Sequence, residues 1–234
     1  MTNKHNEQSP EIEETLGEAM TKTEQFFENN GKKLLYAIFG LLVIAACVFG
    51  YKLLVVEPKL EKAAEMIVNA QIIFEQQNPD YKAALEGNEN GAGFLEVIES
   101  CGSTPAGNLA NHYAGICYLK LGDFDNALKY LSAYDAVKGV PSVIVNAQNK
   151  GLQGDIAVEQ GDYKKAISLY AQAVSVSKNN NLTAPAYLYK GGLAAMAVGN
   201  AEAAKVLFET IVLDFPTSVL ARDASKYVGA LNVK

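Results

Sequence analysis

The sequence predicts an all-α protein: a single apolar helix near the start, then a solenoid of stacked helix hairpins closed by a capping helix. Three observations carry this. The block Leu119-Lys-Leu-Gly-Asp-Phe-Asp-Asn-Ala-Leu-Lys-Tyr-Leu131 recurs as Ala157–Tyr170 and again, in weaker form, as Ala195–Phe208. A run without a charged residue covers Leu34–Tyr51 and resumes after Lys52 as Leu53–Val56. Proline and tryptophan are scarce, at 7 and 0, while Ala, Leu, Lys, Glu and Tyr recur, a composition suited to helices.

The first segment, residues 1–33, is a polar, acidic tail. Ser9-Pro10-Glu11 has the form of a helix start, with Ser at the N-cap, Pro at the first helical position and acids in the first turn. Ile12, Leu16, Ala19, Met20 and Phe27 follow at helical spacing, and Asn29-Asn30-Gly31 is expected to stop the helix. The tail is either a short amphipathic helix at a membrane surface or an unstructured acidic arm.

Residues 34–56 are expected to cross a membrane. Twenty-three residues rising about 1.5 Å each span roughly 35 Å, against a hydrocarbon core of about 30 Å. Lys52 can snorkel, and Tyr36 and Tyr51 suit the two interfaces. A cleaved signal peptide does not fit the long preceding tail, and Ile44-Ala45-Ala46-Cys47, though similar to a lipoprotein cleavage box, sits within the apolar run. Lysines at 22, 32 and 33 balance those at 52, 59 and 62. Lys32-Lys33 abut the span, which favours a cytoplasmic tail with the large domain outside.

Residues 57–104 read as a degenerate first repeat. Leu60–Gln76 has helical spacing, and Asp80-Tyr81-Lys82-Ala83-Ala84-Leu85 echoes the turn-to-helix block. Gly87–Gly93 then inserts a surface loop before a short helix at Phe94–Ser100. Three repeats follow over residues 105–216. Their turn glycines, Gly122, Gly161 and Gly199, are separated by 39 and 38 residues, and Ala127, Ala166 and Ala204 keep the same steps. Seven residues before each turn stands another glycine, Gly115, Gly154 or Gly192, small enough for the two helices of a pair to approach closely. Tyr118, Phe124, Tyr163, Tyr170 and Phe208 fill the space between pairs, and Phe215-Pro216 ends the last. Residues 217–234 form the capping helix, with Leu220, Ala224, Tyr227, Val228 and Leu231 on one stripe.

Charge and motifs exclude whole classes of activity. The net charge is −6 and Arg222 is the one arginine, so the clustered cations that a nucleic-acid backbone needs are missing. No metalloprotease, nucleophile-elbow or phosphate-loop motif occurs. His112 and Cys117 lie five apart, about 140° around a helix, and cannot form a dyad. His5 and His112 have no metal-ligand spacing with Cys47, Cys101 or Cys117, although Cys101 and Cys117 remain free either to pair or to stay reduced. Gly87–Gly93 lacks the preceding strand of a dinucleotide site. No enzymatic activity, cofactor, metal or small-molecule substrate is expected.

The small-Gly, aromatic, Gly-Asp-aromatic, Ala, aromatic, Pro pattern resembles the tetratricopeptide repeat (TPR). It is fullest in Gly154, Gly161, Asp162, Tyr163, Ala166, Tyr170 and Ala173; Leu131 and Ala201 stand where aromatics belong in the other copies. The period exceeds the usual 34 residues, and the extra residues are assigned to Val137–Val143 and Ser177–Thr183. The chain as a whole is similar to the YfgM-like TPR proteins of the bacterial envelope. Phe26-Phe27-Glu28, Ala106–Ala110, Gly154-Asp155 and Asp214–Ser218 carry the resemblance, and the acidic tail and Gly87–Gly93 loop point to a Bacteroidetes-type branch. The resemblance implies an inner-membrane anchor, a periplasmic TPR domain, and association with Sec translocon subunits, periplasmic chaperones or client polypeptides. A structural or assembly factor for another envelope complex is the alternative.

In such arrays a concave face is lined by the first helix of each pair. The corresponding positions are Leu109, His112, Ile116 and Leu119; Gln148, Asp155 and Val158; and Tyr189, Leu193 and Met196. Lys and Asn residues that would clamp a peptide's terminal carboxylate are absent from these positions. The mostly apolar set favours a hydrophobic segment or partner helix as ligand.

Overall fold

The computed structural model describes residues 10–139, 142–177 and 180–232. The chain divides into two units, Met1–Pro58 and Lys59–Lys234. Ser9, read as a helix cap, lies outside the described residues.

The first unit is built on helix α1, Pro10–Tyr51. The stop expected at Asn29-Asn30-Gly31 does not occur, because the backbone stays helical through all three residues. Asn30 turns its amide inward along the helix and donates to the Phe26 carbonyl at 3.2 Å. Gly31 adopts no left-handed cap, and one glycine costs a helix interior only about 1 kcal/mol, too little to end so long an element. After Tyr51 comes a π-helical turn, Lys52–Val56, in which the Glu57 N–H reaches back to the Lys52 carbonyl. The turn widens just before Pro58, which has no N–H for the Leu54 carbonyl and whose ring would crowd it. Among the described residues this region supplies the one helix long and apolar enough to cross a membrane, and no side chain of its most apolar stretch is buried.

The second unit is a solenoid of helix pairs. Helix α2 (Glu57–Phe74) leads in, followed by α3 (Tyr81–Glu86), which the Asp80 side chain caps through the Ala83 N–H. The Gly87–Gly93 surface loop is ordered as a minimal antiparallel hairpin. Its strands are β1 (Gly87–Asn88) and β2 (Gly91–Ala92), with Gly87 opposite Ala92. Asn69 of α2 fastens it, donating to the Ala92 carbonyl at 3.0 Å. Helix α4 (Phe94–Cys101) follows. Ile67, Ile73, Leu85, Phe94, Val97 and Cys117 form the first core, with Phe94 stacked on Tyr113 at 5.2 Å.

Three regular pairs come next. They are α5 (Pro105–Lys120) with α6 (Phe124–Ala133), α7 (Ser142–Glu159) with α8 (Tyr163–Ser177), and α9 (Thr183–Ala197) with α10 (Ala201–Asp214). Each reversal is made the same way. Gly122, Gly161 and Gly199 take φ of 80°, 76° and 73°, the left-handed region that favours glycine. The next residue's N–H then bonds five residues back: Asp123 to Tyr118, Asp162 to Ala157, Asn200 to Ala195. The same residue's side chain caps the following helix, accepting from Asn126, Lys165 or Ala203 N–H at 3.0–3.1 Å.

Within each pair the helices meet at the predicted glycine. A Cβ at Gly115 would lie 2.5 Å from Leu131, at Gly154 2.7 Å from Tyr170, and at Gly192 2.6 Å from Phe208. Ala127, Ala166 and Ala204 are fully buried beside these contacts. Helix α11 (Ala221–Leu231) closes the array, with Tyr227 stacked on Phe208 at 4.7 Å and Ala224 buried.

A strap outside the helices, Tyr134–Lys138, leads into the residues expected to lengthen the first repeat, Val137–Val143. Two asparagines read it as a neighbouring strand would. Asn108 exchanges two 2.8 Å hydrogen bonds with the Asp135 backbone, and Asn146 holds both the N–H and the carbonyl of Val137. Val140 and Pro141, and Lys178 and Asn179 of the second insertion, lie outside the described residues.

Candidate protein-binding site

The candidate residues lie on the first helices of the three pairs, α5, α7 and α9. Packing divides them. His112 and Ile116 are enclosed, at 2% and 7% exposure, and present no surface to a ligand. Leu109, Leu119, Asp155, Val158 and Tyr189 are half-buried, and Gln148, Leu193 and Met196 are exposed.

His112 is enclosed because α7 lays a polar ladder across it. Asn149 approaches its Nδ1 at 3.3 Å, and Gln153 donates to the Asn149 side-chain Oδ1 at 2.7 Å and to the Leu131 backbone carbonyl at 3.4 Å. The rings of Tyr113 and Tyr134 flank the imidazole. Burial lowers the His112 pKa to about 4, offset in part by a hydrogen bond to Gln148. The equivalent position in the second pair is Gly151, where an added Cβ would fall 2.1 Å from the Tyr187 ring of α9. In the third pair it is Tyr189, edge-on to both Phe208 and Tyr227. This row therefore joins one pair to the next in every repeat.

An open cleft lies between α7 and α9. About 220 Å³ in volume, it is lined by Asp155, Val158, Tyr163, Tyr170, Lys190, Leu193 and Ala194. Three of these, Asp155, Val158 and Leu193, belong to the set expected from sequence. Lys190 was not foreseen, because it stands one position from the groove register. Its ammonium contacts both Asp155 carboxylate oxygens at 2.8 Å. The Tyr170 hydroxyl donates to the same carboxylate at 2.7 Å. Burial, reinforced by the Asp155 charge, raises the Tyr170 phenol above its ordinary range and pushes Tyr187 up to about 12, so both stay protonated.

Cys101 and Cys117 are free thiols and both buried, and burial pushes Cys117 up to about 12. Among the described residues no three His, Cys, Asp or Glu side chains gather as a metal site would require.

Family models described as tetratricopeptide repeat match residues 110–134 and 147–180. Those stretches cover most of α5–α6 and α7–α8, and the third pair repeats their turn and their glycine contact. No curated protein matches the chain. The chain thus carries tetratricopeptide repeats, a scaffold for contacts between proteins.

Proposed function

We propose that this is a membrane-anchored, non-enzymatic TPR scaffold of the bacterial inner membrane. Residues 34–56 anchor it, the tail is cytoplasmic, and the repeat domain faces the periplasm. There it binds clients or partner proteins beside the Sec translocon and periplasmic chaperones. One juxtaposition carries the reading: an apolar run with its side chains unburied stands on the same chain as a repeat array with an apolar cleft. Among the described residues the first is not buried, and the second has the lining of a groove for a hydrophobic segment or helix. The YfgM-like resemblance supplies the compartment and the class of partner.

Purification of the full chain in mild detergent tests it. Translocon and chaperone subunits should co-purify, and Leu193→Glu with Met196→Glu should release them. Recovery of subunits of a different envelope complex instead would favour the assembly-factor reading. Retention by the double variant would remove the groove from the proposal. Protease added to spheroplasts should degrade the repeat domain; an intact fragment would place that domain in the cytoplasm.

A further inference from the structure

The cleft between α7 and α9 is apolar except for the pair at its edge. Lys190 is its one lining cation, and that charge is already matched. An ammonium has three donors; Lys190 directs contacts to both oxygens of Asp155 at 2.8 Å. Tyr170 holds the carboxylate from behind at 2.7 Å. The partners lie on successive first helices, so the pair spans the two walls of the cleft. Their side chains are 42% and 29% exposed, within reach of an incoming segment.

We propose that Asp155 occupies, from within the chain, the place that a ligand carboxylate would otherwise take on Lys190. The cleft thereby selects neutral apolar segments and rejects segments that end in a carboxylate. This rests on the reading of the cleft as a peptide groove. A carboxylate arriving at Lys190 must displace Asp155 or share the ammonium with it, and either way two like charges end side by side, which disfavours it. A leucine-like side chain entering between Val158, Leu193 and Ala194 requires no exchange of partners. At about 220 Å³ the cleft is smaller than the ~300–1,000 Å³ of sites that enclose whole drug-sized molecules, and suits one or two side chains of a longer segment.

Two fluorescent octapeptides of alternating serine and leucine, identical except for a C-terminal amide or carboxylate, test this on the full chain in detergent. The wild type should bind the amide about tenfold more tightly. Asp155→Asn keeps an acceptor for Tyr170 but frees Lys190, and should abolish or invert the preference. Lys190→Gln leaves Asp155 alone and should retain amide binding with at least the wild-type preference. Because Asp155→Asn should lose the preference while Lys190→Gln keeps it, a general loss of structure cannot imitate the pattern. Wild-type binding of both peptides alike, or an unchanged preference in Asp155→Asn, overturns the role of Asp155 while leaving the groove in place. Failure of the wild type to bind either peptide overturns the groove, and this inference with it.

Discussion

Asp123, Asp162 and Asn200 each perform two tasks at one position. The backbone N–H closes the helix before the turn, and the side chain caps the helix after it. That economy explains why the Gly-Asp/Asn pair is so legible in the sequence, since each residue answers a local requirement that few others meet. His112 is the opposite case. Nothing local distinguishes it from a groove residue, and its fate depends on Asn149 and Gln153 from another helix. Its burial makes a pH prediction. An unfolded histidine takes up its proton near pH 6.5, whereas in the fold His112 does so only at about 4. Between those values the unfolded state holds the extra proton, so stability falls as pH drops from about 6.5 to 4. The expected loss is on the order of 3 kcal/mol. Denaturant midpoints of wild type and His112→Gln across that range should show the slope flattened in the variant; parallel slopes would contradict it.

At the scale of elements, the helix pairs are set by a size match. Each first helix offers a glycine where the second offers a bulky side chain: Gly115 against Leu131, Gly154 against Tyr170, Gly192 against Phe208. The departure noted in the first copy, leucine in place of an aromatic, keeps the same contact with a smaller partner. Gly154→Ala would set a methyl 2.7 Å from the Tyr170 ring and should destabilise by about 1–3 kcal/mol. Gly229, in α11, has nothing within 4 Å of an added Cβ, so alanine there should stabilise by about 0.5–1 kcal/mol. Opposite shifts of the two thermal midpoints by circular dichroism would bear this out, and a neutral Gly154→Ala would refute it. Boundaries were less legible than pairings. Asn29–Gly31 contains stop residues inside a continuing helix, and Gly87–Gly93 contains loop residues that Asn69 helps hold as a hairpin.

For the molecule as a whole, the two units pose opposite problems of solvation. The repeat unit buries a core between its helices and leaves scattered apolar side chains such as Leu182, Leu213 and Val219 exposed, whereas Leu35, Phe39, Leu41, Val48 and Phe49 of the first unit, each more than 60% exposed, belong to one apolar run. The proposed anchor would place that surface in a bilayer, where exposed apolar side chains meet lipid. Arginine at the centre of a span costs roughly 2.5–3.5 kcal/mol on insertion scales, so Ile44→Arg with Val48→Arg should shift the protein from the membrane pellet to the soluble fraction after alkaline carbonate extraction. Retention in the pellet would argue against the anchor. Much of this organisation was readable from the chain alone. Turn glycines, close-contact glycines and the apolar run express constraints acting within one turn, one helix or one helix pair, and such constraints leave residue types at fixed spacings. The binding face was readable only as a list of positions. Which of them stay open is decided by the next helix, which covers His112 with Asn149, lays Tyr187 over Gly151, and sets Lys190 against Asp155. Those contacts join residues about 35 to 37 positions apart, a separation at which local spacing carries no information and packing alone selects the partner.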